Sequence, residues 1–174
     1  MNIEFCEPVH YPIIGVVRPG TEEVTVLEKW KEEPDPTVAE LIYIEFSPTK
    51  RLLIRKSYLP GTYDWEEAQK ACADFHPEGL PGVTFRCPTR KECIDIYDAR
   101  FQGLDEAIEL IGGNYARRES GNRFWTSERD ADPRFSAYYA WCSFGSGGGL
   151  GSSYLFYSSL AVPVALLDVS DSEL

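Results

Sequence analysis

The sequence predicts an α+β fold, on three observations. Two helical patterns, each opened by a capping-box signature, lie together in the middle of the chain. Stretches of period-2 alternation or continuous apolar runs lie before and after them. Helices grouped in this way, instead of alternating with strands, exclude a doubly wound parallel sheet. The chain has 174 residues, enough for one domain with a core of its own. Its 12 Pro and 14 Gly favour a loop-rich, strand-containing architecture over a helical bundle.

The N-terminal part reads as β. Residues 12–17 are a short apolar run ended by Pro19-Gly20, and residues 23–27 alternate Val24 and Val26 against Glu23 and Thr25. A charged, proline-containing loop at 31–36 leads to two further strands, 40–46 and 51–58, joined by a turn at Ser47-Pro48-Thr49-Lys50. Pro60-Gly61 marks a break. Asp64 then reads as an N-cap with Glu67 as its box partner, and Trp65, Ala68, Cys72 and Phe75 repeat at helical spacing over 64–75. Thr89 and Glu92 open a second helix to about Ala99, with Cys93, Ile96 and Tyr97 inward. A shorter helical segment at 105–111 ends at Gly112-Gly113. Strands are expected again at 123–127, 137–144, 154–157 and 161–167, the last demoted to an edge by Pro163. The expected division is a β-rich region at 1–58 packed on a main domain at 59–168, with an acidic tail at 169–174.

Composition narrows the partners. The net charge is −11, which repels nucleic-acid backbones and anionic membrane surfaces, so neither is expected as a partner. The first residues carry no basic and apolar leader pattern, and no apolar run is long enough to span a membrane. A cytoplasmic or virion-associated location without a signal peptide is the expectation. Cys6, Cys72, Cys87, Cys93 and Cys142 match no zinc spacing and read as free thiols.

From Asp64 onward the motif order resembles a bacterial and prophage family of uncharacterised domains with the C-type-lectin-like fold. Trp65-Glu66-Glu67-Ala68 with Cys72 resembles the family's W-x-E-A…C helix, and Cys87-Pro88-Thr89 with Glu92 its L-P-T-x-x-E helix start. Phe124-Trp125-Thr126-Ser127, Tyr139-Ala140-Trp141 and Val162-Pro163-Val164 are similar to its later strands. Cys87 stands where the family has Leu, and Val162 where it often has Arg. The resemblance implies two main helices with antiparallel sheets, preceded by a small N-terminal β region. It also implies kinship with the variable proteins of diversity-generating retroelements and with the formylglycine-generating-enzyme fold.

The most unusual feature is an uncharged stretch at 135–167. At the chain's overall 26% charged, roughly eight or nine charges would be expected there. Tyr, Ser and Gly together make an adaptable contact surface, because Tyr supplies rigid area with a polar tip and Ser and Gly allow close approach. The residues expected to contact a ligand are Tyr138, Ser143, Phe144, Ser146, Ser152, Ser153, Tyr154, Phe156 and Tyr157. The competing reading is a buried strand pair joined by a Gly-rich loop. Gly145–Gly149 lacks the Lys-Ser/Thr ending of a phosphate loop. Arg117, Arg118, Arg123, Arg129 and Arg134 read as partners of the carboxylates Glu119, Glu128, Asp130 and Asp132, with orientation of an anionic ligand as the alternative. With two His and no readable catalytic arrangement, no enzyme, cofactor or metal is expected. The calcium-lectin Glu-Pro-Asn and Trp-Asn-Asp motifs do not occur, and only Cys142 is in the region where formylglycine-generating enzymes need a cysteine pair. The expectation is a binding protein for a protein or glycan ligand. The alternatives are an oligomeric assembly subunit such as a virion tip and, less favoured, an enzyme of the formylglycine-generating fold.

Overall fold

The computed structural model describes residues 10–115, 123–144 and 149–167. It is mixed α+β, with two antiparallel sheets. The first half of the chain supplies β1 (Ile13–Val17), β2 (Val24–Val26), β3 (Leu41–Ser47) and β4 (Lys50–Arg55), with a one-turn helix α1 (Leu27–Trp30) between β2 and β3. Helices α2 (Trp65–Ala73), α3 (Arg90–Ala99) and α4 (Asp105–Leu110) follow. The last part forms β5 (Arg123–Arg129), β6 (Tyr139–Phe144), β7 (Gly149–Tyr154) and β8 (Val164–Leu167). One sheet has five strands in the order β2-β1-β3-β4-β8, and the other has three in the order β5-β6-β7. Because β8 pairs with β4, the five-stranded sheet runs across the boundary expected at residue 58.

Both faces of the larger sheet are covered. On one face Ile14, Val16, Ile42, Ile44, Leu52 and Ile54 meet Cys93, Ile96, Ala107 and Ile108 from α3 and α4. On the other, Leu41, Tyr43, Leu53 and Ala165 lie under Leu80 and Phe85 from the loop after α2. A sheet covered on both sides needs apolar residues in succession, which explains the runs in β3 and β4. A third cluster joins α2 to the small sheet through Ala68, Cys72, Cys87, Trp125, Ala140 and Cys142.

Both capping boxes form, at Asp64/Glu67 and Thr89/Glu92. The C-terminus of α4 closes as a Schellman motif. Gly112 N–H donates to Glu109 O at 3.1 Å and Gly113 N–H to Ile108 O at 2.7 Å. Gly112 adopts φ 69°, which favours glycine there.

Two expectations are corrected. Residues 154–157 are not a strand: Tyr154 ends β7 and a turn follows. The strand is instead Gly149–Tyr154, read from sequence as loop. Gly and Ser are weak strand formers, but here full pairing with β6 sets the conformation. The final strand begins at Val164 and not at Ala161, because Pro163 has no N–H to give to a ladder. Trp30, beside the charged loop, is fully buried, and its Nε1–H donates to Pro36 O at 3.1 Å.

Gly79 pins the covering loop. It adopts φ 85°, and a Cβ there would lie 2.2 Å from the Gly20 carbonyl carbon and 2.4 Å from Thr21 N. Both obstacles are backbone and cannot rotate away. Gly79→Ala is expected to cost about 2 kcal/mol in urea unfolding. Gly82→Ala, with nothing within 4 Å of its Cβ, is the near-neutral control.

Candidate binding surface

In an antiparallel pair, residues directly opposite one another share a face. The register of β6 with β7 pairs Tyr139 with Tyr154, Trp141 with Ser152 and Ser143 with Leu150. The alternate pairs, Ala140 with Ser153 and Cys142 with Gly151, lie on the opposite face. Ala140 and Cys142 on that face pack toward α2, and Cys142 Sγ donates to Gly151 O at 3.3 Å. Small residues on this face leave room for the buried Trp125 ring, which belongs to the same cluster.

The first row runs from core to solvent. Ser143 is buried, and Leu150 packs against the main core. Trp141 is half-buried, with the Arg90 guanidinium 4.6 Å over its ring. At the outer end, Tyr139 and Tyr154 stack at 4.3 Å between ring centroids. Such cross-strand aromatic pairs add to sheet stability.

Two turns extend this pair into a cluster. After β7, Leu155 is held inward: its N–H donates to Tyr138 O, and its carbonyl accepts from Trp65 N–H, both at 2.9 Å. Phe156 and Tyr157 stay exposed, at 5.3 Å each from the Tyr154 ring and 5.1 Å from each other. Before β6, the turn is fixed by Asp132. Its carbonyl accepts from Phe135 and Ser136 N–H, and its carboxylate accepts from Arg134 N–H and guanidinium. Arg134 holds the Asp132 carboxyl below its ordinary range. Phe135 then reaches Tyr139 edge-to-face at 5.7 Å. The Tyr139 phenol is pushed up by its hydrogen bond with Tyr154, then by burial, so it remains a neutral donor and acceptor.

The structure therefore brings Tyr154, Phe156 and Tyr157 to one exposed patch with Phe135 and Tyr139, with Ser152 on the same row; Tyr138 is exposed next to it in sequence, outside these ring contacts. Tyr138 is 63% and Phe156 69% exposed, values that leave the rings free for contact. Ser143 and Ser153 are buried and are removed from the contact set. Phe144 ends β6 opposite Arg123 and Gly149. Ser146 lies outside the described residues, as do Arg117, Arg118 and Glu119. Phe135 and Tyr139 join the patch from outside the expected contact set: Tyr139 reads in sequence as a strand residue, and Phe135 as the first residue of the uncharged stretch. Arg123 donates to Ser159 Oγ at 3.0 Å, and Arg129 contacts Glu66 at 3.3 Å, so these arginines serve the scaffold.

A second concavity of about 740 Å³ lies on the outer face of the five-stranded sheet, walled by Val24, Val26, Leu80 and Val83. On its floor Tyr43 Oη donates to Glu45 at 2.5 Å, and Arg51 lies 3.5 Å from the same carboxylate. Burial and the Glu45 contact push the Tyr43 phenol up, so it stays protonated. Among the described residues, no group of three or more His, Cys, Asp or Glu is placed to hold a metal ion. No helix among them is long and apolar enough to cross a membrane. No protein-family model matches the chain, and no curated protein matches it.

Proposed function

We propose that the chain is a non-enzymatic binding protein that recognises a protein or glycan surface through the aromatic patch of Phe135, Tyr139, Tyr154, Phe156 and Tyr157, with the exposed Tyr138 beside it in sequence. The observation that carries this reading is the exposure of that patch. Monomeric proteins seldom leave contiguous aromatic area in water without a partner for it. Tyrosine faces fit sugar C–H faces and peptide surfaces alike, while their hydroxyls supply hydrogen bonds. The patch lies in the one long uncharged stretch of a chain with net charge −11, so a partner meets least repulsion there.

A C-type-lectin-like scaffold is the second part of this proposal. Its support is the pair of capped helices between two antiparallel sheets, and the return of the last strand to pair with β4. A role as a prophage or diversity-generating-retroelement variable protein follows from that resemblance. It requires a near-copy template repeat and a reverse-transcriptase gene beside the coding sequence, and sequencing the flanking DNA decides it.

The surface reading is tested with the triple variant Tyr154→Ala/Phe156→Ala/Tyr157→Ala. Binding is first located on a glycan array and on immobilised bacterial surface proteins. The variant is expected to melt close to the wild type and to lose at least roughly tenfold in affinity, as truncated aromatic hot spots do. Unchanged binding in a folded triple variant would sink the assignment. The same uncharged patch also supports a second reading, as an interface between copies in an assembly subunit. Light scattering separates the two: a monomer at micromolar concentration removes the subunit reading.

A further inference from the structure

A different observation, in the cluster beneath α2, concerns the cysteines. We propose that Cys72 and Cys87 form a modification site: a dithiol that closes to a disulfide when the chain folds in the presence of a small-molecule disulfide. Their sulfurs lie 3.4 Å apart, with Cys87 Sγ also 3.5 Å from Ala68 O. A disulfide bond is about 2.05 Å long, so the gap to close is small enough for side-chain rotation. Neither cysteine has any exposed surface.

Rigid backbone presents both sulfurs. Cys72 is in the last turn of α2, whose start is fixed by its capping box and by Trp65 Nε1–H donating to Thr126 O at 2.9 Å. Cys87 follows Arg86, which exchanges two backbone hydrogen bonds of 2.9 Å with Val164. Two residues later Thr89 caps α3. The segment between the two cysteines, 73–86, is the loop that places Leu80 and Phe85 over the large sheet and walls the outer groove. The crosslink therefore clamps that loop at both ends. Cys142 belongs to the same cluster, but its sulfur is engaged with Gly151 O.

The exchange balances without a further reactant. One cysteine thiolate attacks a sulfur of the small disulfide, releasing a small thiol and leaving a mixed disulfide on the protein. The second cysteine thiolate attacks the protein sulfur of that mixed disulfide and releases the second small thiol. Two protein S–H bonds become one S–S bond, and the small disulfide takes up the two electrons and two protons. In the folded chain the Cys72 contact and then burial push the Cys87 thiol up, so reactive thiolate is scarce there. Exchange therefore passes through the opened chain, and the state of the pair is set when the protein folds.

The full chain, reduced and unfolded, is refolded either with a mixture of oxidised and reduced glutathione or with dithiothreitol. It is then alkylated, digested and mapped by mass. The expected result is a Cys72–Cys87 linked peptide in the glutathione sample, with a thermal midpoint roughly 5 °C above the reduced sample. In the folded, reduced protein both thiols are expected to react with a thiol reagent at least tenfold more slowly than in urea. Cys72 and Cys87 both recovered alkylated after glutathione refolding would overturn the proposal. So would linkage chiefly to Cys6 or Cys142, or a crosslinked form no more stable than the reduced one. Mapping the wild type keeps the test independent of any cysteine variant that fails to fold.

Discussion

Trp125→Ala is expected to destabilise the fold by about 4 kcal/mol, within the range for removing a buried indole. Trp125 has no exposed surface and lies between α2 and β6. The size of the effect depends on whether neighbours can fill the space. The buried ones are Ala68, Cys72, Cys87, Ala140, Cys142 and Ala161, short side chains that cannot reach across the cavity, and the larger Leu59, Tyr63, Trp65 and Leu155 pack at the margin of the cluster. The lost hydrogen bond matters less. Trp125 Nε1–H donates to Tyr63 O at 2.9 Å, but that carbonyl also accepts from Ser159 N–H, so it is not left orphaned. The deletion therefore acts mainly through lost packing. Urea unfolding with an unchanged denaturant slope measures it. Trp65→Ala is the comparison, because Trp65 lies at the rim with Arg129 4.7 Å over its ring. If the two substitutions cost the same, the third cluster is not packed as described.

What the sequence disclosed depended on how far apart the interacting residues are. Capping boxes join residues three apart, so Asp64 with Glu67 and Thr89 with Glu92 could be read directly, and α2 and α3 begin where they say. Gly112-Gly113 is equally local. Strand β7 was not readable, because Gly149–Ser153 carries no β signal of its own and takes its conformation from β6. The same limit applies to the proposed contact surface. Tyr154, Phe156 and Tyr157 are neighbours in sequence and also touch as rings, whereas their contacts to Tyr139 and Phe135 depend on the pairing of β6 with β7. Which serine faces outward depends on register, and a slip of one residue exchanges the faces. Ser152 shares the row of Tyr154, whereas Ser153 opposes Ala140 and is buried. The burial of Trp30 could not be read from its charged neighbours, because a helix of one turn carries no periodic pattern. The proposed lectin-like scaffold joins that motif order to the two capped helices and the pairing of β8 with β4, which only the folded chain displays.

Glu92→Ala is expected to cost about 3 kcal/mol, and the loss should depend on pH. Glu92 caps α3 and is buried. Its carboxylate accepts from both Arg86 Nη atoms, at 2.8 and 2.6 Å, and from Thr89 N–H at 2.7 Å. Burial alone would raise its pKa, but the Arg86 pairing and the Thr89 backbone bond outweigh it, and the net shift is downward. Arg86 is raised in turn by its bond to Glu92. Removing the carboxylate leaves the Arg86 guanidinium with only the Cys87 carbonyl and deprives Thr89 N–H of its acceptor, one half of the capping box. Breaking a buried pair costs about 3–5 kcal/mol, and the lower end applies because Arg86 is about one-third exposed and can rehydrate. The sign of the pH dependence follows from the downward shift. A carboxyl whose folded pKa lies below its unfolded value contributes its full stability above the unfolded value, near about 4.3 for Glu. That contribution is lost as pH falls through the folded value. The stability difference between wild type and Glu92→Gln should therefore be constant from neutral pH down to about 5 and shrink below that. Unfolding titrations across that window measure it. A difference that stays constant into strong acid would mean that the carboxylate charge contributes nothing, and that Glu92 matters only for its shape.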